Sequence, residues 1–195
     1  MRIRLINFRQ TQRDDDIMTA EPPVPLRRVR SKIPLDVQVR VLFRDGWLCR
    51  WCHRPTVFSP TFRLMQVFVE RSGYQAPLAY FHPNWRRDAA PLLDHMGAVI
   101  DHVVAFASGG EHGEANFVTA CNKCNTRKNS LPAATYERER PGKPVKGRFG
   151  EPKHWDGLAS LFLVLARSGI RLNAGEKAWR KALEAHLMPE QPSNK

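Results

Sequence analysis

The sequence predicts an α+β fold, and three observations point to it. Two Cys-x-x-Cys pairs stand far apart, Cys49 and Cys52 in "LCRWCH" and Cys121 and Cys124 in "CNKC". Two short β-rich runs flank a turn at Gly109 and Gly110, just before the second pair. Helical patterns precede the first pair and fill the last forty-odd positions. With 195 residues the chain can form one domain with a real core plus an appendage.

The cysteines come first because they tie the elements together. A Cys-x-x-Cys followed by His could attach a c-type haem, act as a redox pair or form half of a zinc site. Haem attachment normally requires export, and "MRIRLINFRQTQRDDD" has no apolar core of a secretory signal. A cytosolic location is therefore expected, where structural disulfides are rare. A redox pair usually opens a helix after a strand. "DGWLCRWCHRP" instead places a turn before the pair and a proline after it, which suits a knuckle. All four cysteines of the chain lie in these two pairs, so Cys49, Cys52, Cys121 and Cys124 can supply four thiolates to one tetrahedral, structural Zn²⁺. The gap from Cys52 to Cys121 greatly exceeds the roughly 15–20 residues of a compact zinc ribbon. The ion would staple distant parts of the chain, and a closed four-cysteine site has no coordination position left for catalysis.

In chain order, residues 1–32 carry Arg2, Arg4, Arg9, Arg13, Arg27, Arg28 and Arg30 with the cluster "EPPVP", and read as a basic, flexible arm. "IPLDVQVRVLFRDG" alternates at 35, 37, 39 and 41 like a strand, yet Asp36 after Pro34 suits a helix start; helix is the preferred reading. Residues 55–97 form an insertion, with an ordered apolar stretch "TFRLMQVFVERSGY" and an aromatic and basic mixture "FHPNWRRDAAPL". A strand is expected from Ala98 to Phe106, then a polar loop to Asn116, a second strand from Phe117 to Ala120, the second knuckle, and a helix in "NTRKNS" that Pro132 interrupts. Residues 141–153 read as a Pro/Gly-rich charged linker, and 154–195 as a helical hairpin packed on the core. Asn173 with Glu176 has capping-box spacing.

Lys and Arg number 31 against 19 Asp and Glu, a formal net charge of +12, which points to an anionic polymer or surface as partner. The longest apolar run, "LASLFLVLA", is far short of the roughly 20 residues of a spanning helix, so no membrane partner is expected.

The segment "DHVVAFASGG", then "EANFVTAC", then "CNKCNTRK" resembles the HNH endonuclease family, in its version with two zinc-binding Cys-x-x-Cys pairs. The resemblance covers Val41 to Ser130 with one large insertion, and makes 33–140 the expected nuclease domain. It implies a ββα-metal core, a hairpin and a helix around one divalent ion, that hydrolyses phosphodiester bonds in nucleic acid, most often DNA. Double-stranded DNA is the expected partner, and the chain is expected as a monomer or homodimer.

The residue chemistry agrees. Phosphodiester cleavage needs an activated water and a cation on the developing charge. His102, with an ordinary imidazole pKa of about 6.5, is the expected general base. Asp101 offers a hard oxygen to Mg²⁺ or Mn²⁺, and Asn125 a second one. The family often has histidine at the position of Asn125, and oxygen there favours Mg²⁺ or Mn²⁺ over zinc. By resemblance, Asn116 bridges the hairpin and holds the His102 loop. One difficulty is that neighbours on a regular strand face opposite ways, so Asp101 and His102 share a site only if the strand ends or twists there.

Arg50, Arg54, Lys123, Arg127 and Lys128 cluster around the knuckles and are the expected phosphate contacts. Asp94-His95 lacks the downstream glycines and Asn, and reads as a helix end or loop. His53, His112, Glu111 and Glu114 read as exposed or loop groups. A different class of function fits the same residues: a non-catalytic, zinc-stabilised nucleic-acid-binding module.

Overall fold

A computed structural model gives the structure of the protein and describes residues 31–74, 91–139 and 155–188. Nearly all of the expected arm, positions 75–90 of the insertion and the 141–153 linker lie outside the described residues.

Helix α1 (Leu35–Arg44) starts after Pro34, with Asp36 in its first turn and Arg44 in its last, as the helix dipole favours. The competing strand reading fails because two helix faces are buried. Val39 and Leu42 enter the main core, while Val41 packs with Ile33 and Phe117. A turn with positive φ at Gly46 and Trp47 leads into the first knuckle. Helix α2 (Pro60–Arg71) opens on proline, whose missing N–H costs nothing at a first helical position. A six-residue helix α3 (Pro91–Met96) precedes strand β1 (Ala98–His102).

Strand β2 (Phe117–Cys121) pairs antiparallel with β1, Ala98 opposite Cys121 and His102 opposite Phe117. β1 is shorter than the run to Phe106 expected from its composition. After the Val103 N–H bond to the Asn116 carbonyl, at 2.9 Å, the chain leaves the ladder and makes a 3₁₀ turn at Phe106–Ser108. The outer edge of β2 is closed by other parts of the chain. The Arg50 N–H bonds the Thr119 carbonyl at 2.8 Å, and the Thr119 N–H is accepted by Asp45 Oδ2 at 2.7 Å. The first knuckle thus docks where a third strand would lie.

Helix α4 (Asn122–Lys128) begins inside the second knuckle rather than after it, because Cys121 is its N-cap and the Cys121 sulfur accepts from the Cys124 N–H at 3.5 Å. Pro132 separates α4 from α5 (Ala133–Glu139). Helices α6 (Ala159–Arg167) and α7 (Ala174–Leu187) form the C-terminal hairpin. The Asn173–Glu176 capping box is complete at 2.9 and 2.8 Å, and Glu176 also pairs with Arg63 of α2.

The hairpin shares its core with the first half of the chain. Val39, Leu42, Trp47, Phe58 and Leu64 pack with Ala159, Phe162, Leu163, Leu165 and Leu183. At Gly157, φ is +65°, and a Cβ would lie 2.1 Å from the Trp47 ring, so only glycine fits. A second cluster joins the cysteines to Trp51, Val118, Ala120 and Tyr136. Among the described residues no helix is long and apolar enough to cross a membrane.

Candidate active site

The four cysteine sulfurs lie within 4.8 Å of one another, all as free thiols. Cys52 Sγ and Cys121 Sγ are 4.0 Å apart, close to the ~3.8 Å edge of a tetrahedron with Zn–S bonds of about 2.3 Å. Cys49, Cys121 and Cys124 are buried and Cys52 half-buried. The hydrogen bond with Cys121 is the first cause that lowers the Cys52 thiol to about 7, toward the thiolate that binds metal. Cys121 is pushed the other way, first by Cys124. Four thiols crowded in this way cannot ionise independently, and a dication at their centre would relieve the conflict. The residues fit one zinc ion.

Trp51, between Cys49 and Cys52, carries the knuckle's influence onward. Its buried indole N–H donates to Asp101 Oδ2 at 2.8 Å, while Tyr136 meets the ring edge-on. Asp101 Oδ1 accepts from the His102 backbone N–H at 2.7 Å. Lys128 Nζ donates to the His102 carbonyl at 2.7 Å and lies 3.6 Å from Asp101 Oδ2. Burial pushes the Asp101 carboxyl above its ordinary range, although Lys128, Trp51 and the His102 N–H all pull it down. The sequence placed Lys128 at the phosphate-contacting surface. It is instead fully buried, with its ammonium holding the end of β1 from beneath.

Asp101 and His102 are 7% and 3% exposed, and both line one cavity of about 650 Å³ together with Asn125, Phe106 and Asn129. Both residues are still in the ladder, opposite Val118 and Phe117, at the last two positions of β1, and the cavity at the strand's end is lined by both. Asp101 and Asn125 both offer oxygen. Two such donors fit Mg²⁺ or Mn²⁺, which keep several waters of their own. Asp101 uses part of its acceptor capacity on Trp51 and His102, and an ionised carboxylate has about four acceptor positions.

The Asn116 side chain clamps the loop beyond β1. Its Oδ1 accepts from the Val104 N–H at 2.9 Å, and its Nδ2 donates to the Val104 and Glu111 carbonyls at 2.9 and 2.8 Å. Gly110 makes the turn possible, since a Cβ there would sit 1.9 Å from the Val104 oxygen.

Residues 90–131 match the family model described as HNH endonuclease. The chain carries an HNH domain. No curated protein matches the chain, and no solved structure does. The matched segment spans α3, both strands, the Asn116 loop, the second knuckle and α4, and the first knuckle joins it from outside.

Around the HNH domain the remaining basic residues differ in placement. Arg54 and Arg127 are exposed. Arg50 pairs with Glu137 at 2.7 Å and lies over the Trp51 ring, and Lys123 Nζ is 3.3 Å from His95 Nε2. His95 is at the end of α3, and His53 is half-buried in the knuckle turn with φ of +56°. Glu114 pairs with Arg40 at 2.8 Å, and Glu111 is exposed. Sequence reasoning missed Trp51 as a partner of Asp101, and it left His112 in the loop. The His112 Nδ1 lies 3.2 Å from His102 Nε2.

Proposed function

We propose that the protein is a metal-dependent HNH endonuclease that hydrolyses phosphodiester bonds in nucleic acid, with double-stranded DNA as substrate. The observation that carries this reading is the cavity lined by Asp101, His102 and Asn125, next to a four-cysteine cluster that holds its walls. Asp101 and Asn125 would hold Mg²⁺ or Mn²⁺, which when bound supplies positive charge to the phosphate as negative charge develops. His102 takes the proton of the attacking water as general base. Trp51 and Lys128 hold Asp101 in place, and Asn116 fixes the loop that follows His102. Arg54 and Arg127 contact backbone phosphates, with Arg50 and Lys123 beside them, and the 1–32 arm adds charge-based affinity. The domain runs from 33 to 140 with 55–97 inserted, the 154–195 hairpin bracing it after a 141–153 linker. The setting is the cytoplasm, and the protein acts as a monomer or homodimer.

The second reading is a non-catalytic, zinc-stabilised nucleic-acid-binding module. The burial of His102 and the proximity of Lys128 to Asp101 favour it. Cleavage of supercoiled plasmid with Mg²⁺ or Mn²⁺ separates the two. The nuclease reading expects nicked or linear product, slowed by roughly 10² to 10⁴ in His102→Ala. Binding without any metal-dependent cleavage by the wild type supports the module.

A further inference from the structure

The α6–α7 hairpin lies outside the segment that matches the HNH model, and the site described above uses none of its residues. It has a groove of its own, of about 440 Å³. Ile170 and Leu172, from the connection between the two helices, line it with apolar surface, and α7 lines it with Lys177, Arg180 and Lys181. Residues three and four apart share a helix face, so the three cations stand together.

The hairpin supplies little negative charge to offset them. Glu184 is the one carboxylate that lines the groove, and it is shared between Arg180 at 3.1 Å and Arg167 at 2.9 Å. The other carboxylate of α7, Glu176, is buried, caps its own helix and pairs with Arg63 of α2. Lys177 and Lys181 are exposed, and neither has an ion-pair partner among the described residues. Packing does not explain the basic face either. Leu183 holds α7 in the shared core, with Trp179 and Ala182 against it. An anion that reaches several cations at once would offset them, provided that it also tolerates an apolar wall. A nucleic-acid backbone does both, with phosphates for the lysines and sugars for the apolar side.

We propose that the α6–α7 groove is a second contact for the DNA backbone, with Lys177 and Lys181 on phosphates. The hairpin then grips the duplex as well as bracing the domain. This rests on nucleic acid being the partner, which the nuclease and the binding-module readings share, and it needs no cleavage.

The test uses the purified, full-length protein and a duplex about three helical turns long. Mg²⁺ and Mn²⁺ are left out, so that the duplex stays whole. Lys177→Gln combined with Lys181→Gln keeps good helix formers and removes two charges. The slope of log K against log[salt] should become shallower by about 1.8, two phosphates at about 0.9 each. In the wild type, bound duplex should shield both lysines from acetylation by an anhydride, a measurement that needs no variant. An unchanged slope in the double variant, with helix content intact, would overturn the proposal. Lysines acetylated equally fast with and without bound duplex would do the same. Shielding by polyglutamate but not by duplex would also overturn it, and would give the groove to an acidic protein. These three failures leave the nucleic-acid reading standing. A wild type that binds no duplex at any salt brings down that reading, and this proposal with it.

Discussion

Asp101 is an acid held in a place that disfavours its charge, and this has a measurable sign. Burial raises its carboxyl above the ordinary aspartate value of about 3.9, outweighing Lys128, Trp51 and the His102 N–H. Between the ordinary and the raised value, the folded protein keeps a proton that the unfolded chain has released. Its contribution to stability therefore falls as pH rises through that window and is restored as pH drops below it. Asp101→Asn should flatten this dependence in urea titrations run across acidic pH without added Mg²⁺ or Mn²⁺. A slope unchanged by the substitution would place the titrating group elsewhere. The environment of Asp101 was only partly legible in the sequence. Asp101, His102, Asn116 and Asn125 stand out as chemistry-bearing types at telling spacings, and three of them do line one cavity. Lys128 was misplaced because basic composition around a knuckle looks like surface charge. The correcting signal was present: Cys124 and Lys128 are four apart on α4, so a helix that turns Cys124 inward turns Lys128 inward too. His112 had no such signal, since its approach to His102 depends on how a Gly-Gly loop folds back.

At the scale of elements, the four-cysteine cluster holds the site together. It joins the first knuckle to the end of β2 and the start of α4, and Trp51 carries that junction to Asp101. If the cluster holds zinc as proposed, removing the ion should remove structure as well as cleavage. Metal analysis is expected to give one zinc per chain, and Cys121→Ala or a strong chelator should unfold the protein, in keeping with apparent zinc contributions of about 10 kcal/mol or more. Folded, soluble protein devoid of zinc would refute the staple. Spacing made the four ligands legible, whereas the overlap of knuckle and helix was not, because the first turn of α4 depends on the cap that Cys121 itself provides. Helix α1 was recoverable from Pro34 and Asp36 despite its strand-like alternation, since burial on two faces mimics a period of two.

At the scale of the molecule, charge and core make separate predictions. The net charge of +12 should give DNA binding that weakens steeply with salt, by about −0.9 in log K against log[salt] for each phosphate neutralised. Deleting residues 1–30 should make that slope shallower while leaving plasmid cleavage at saturating DNA intact; an equal slope would mean that the arm does not touch phosphate. The core predicts the opposite for the other end. A chain stopped at 154 loses Phe162, Leu163 and Leu183 from contact with Val39, Leu42, Trp47 and Phe58, and should be insoluble or unfolded by circular dichroism.

That shared core also sets a timetable. During synthesis at about 5–20 residues per second, Phe58 is added to the chain some 6–25 s before Leu183 exists. Cys52 likewise waits for Cys121. Trp47 and Phe58 emerge without the α6 and α7 side chains that will cover them, so ribosomes stalled at residue 154 should display a protease-sensitive chain that becomes resistant only when α7 is released.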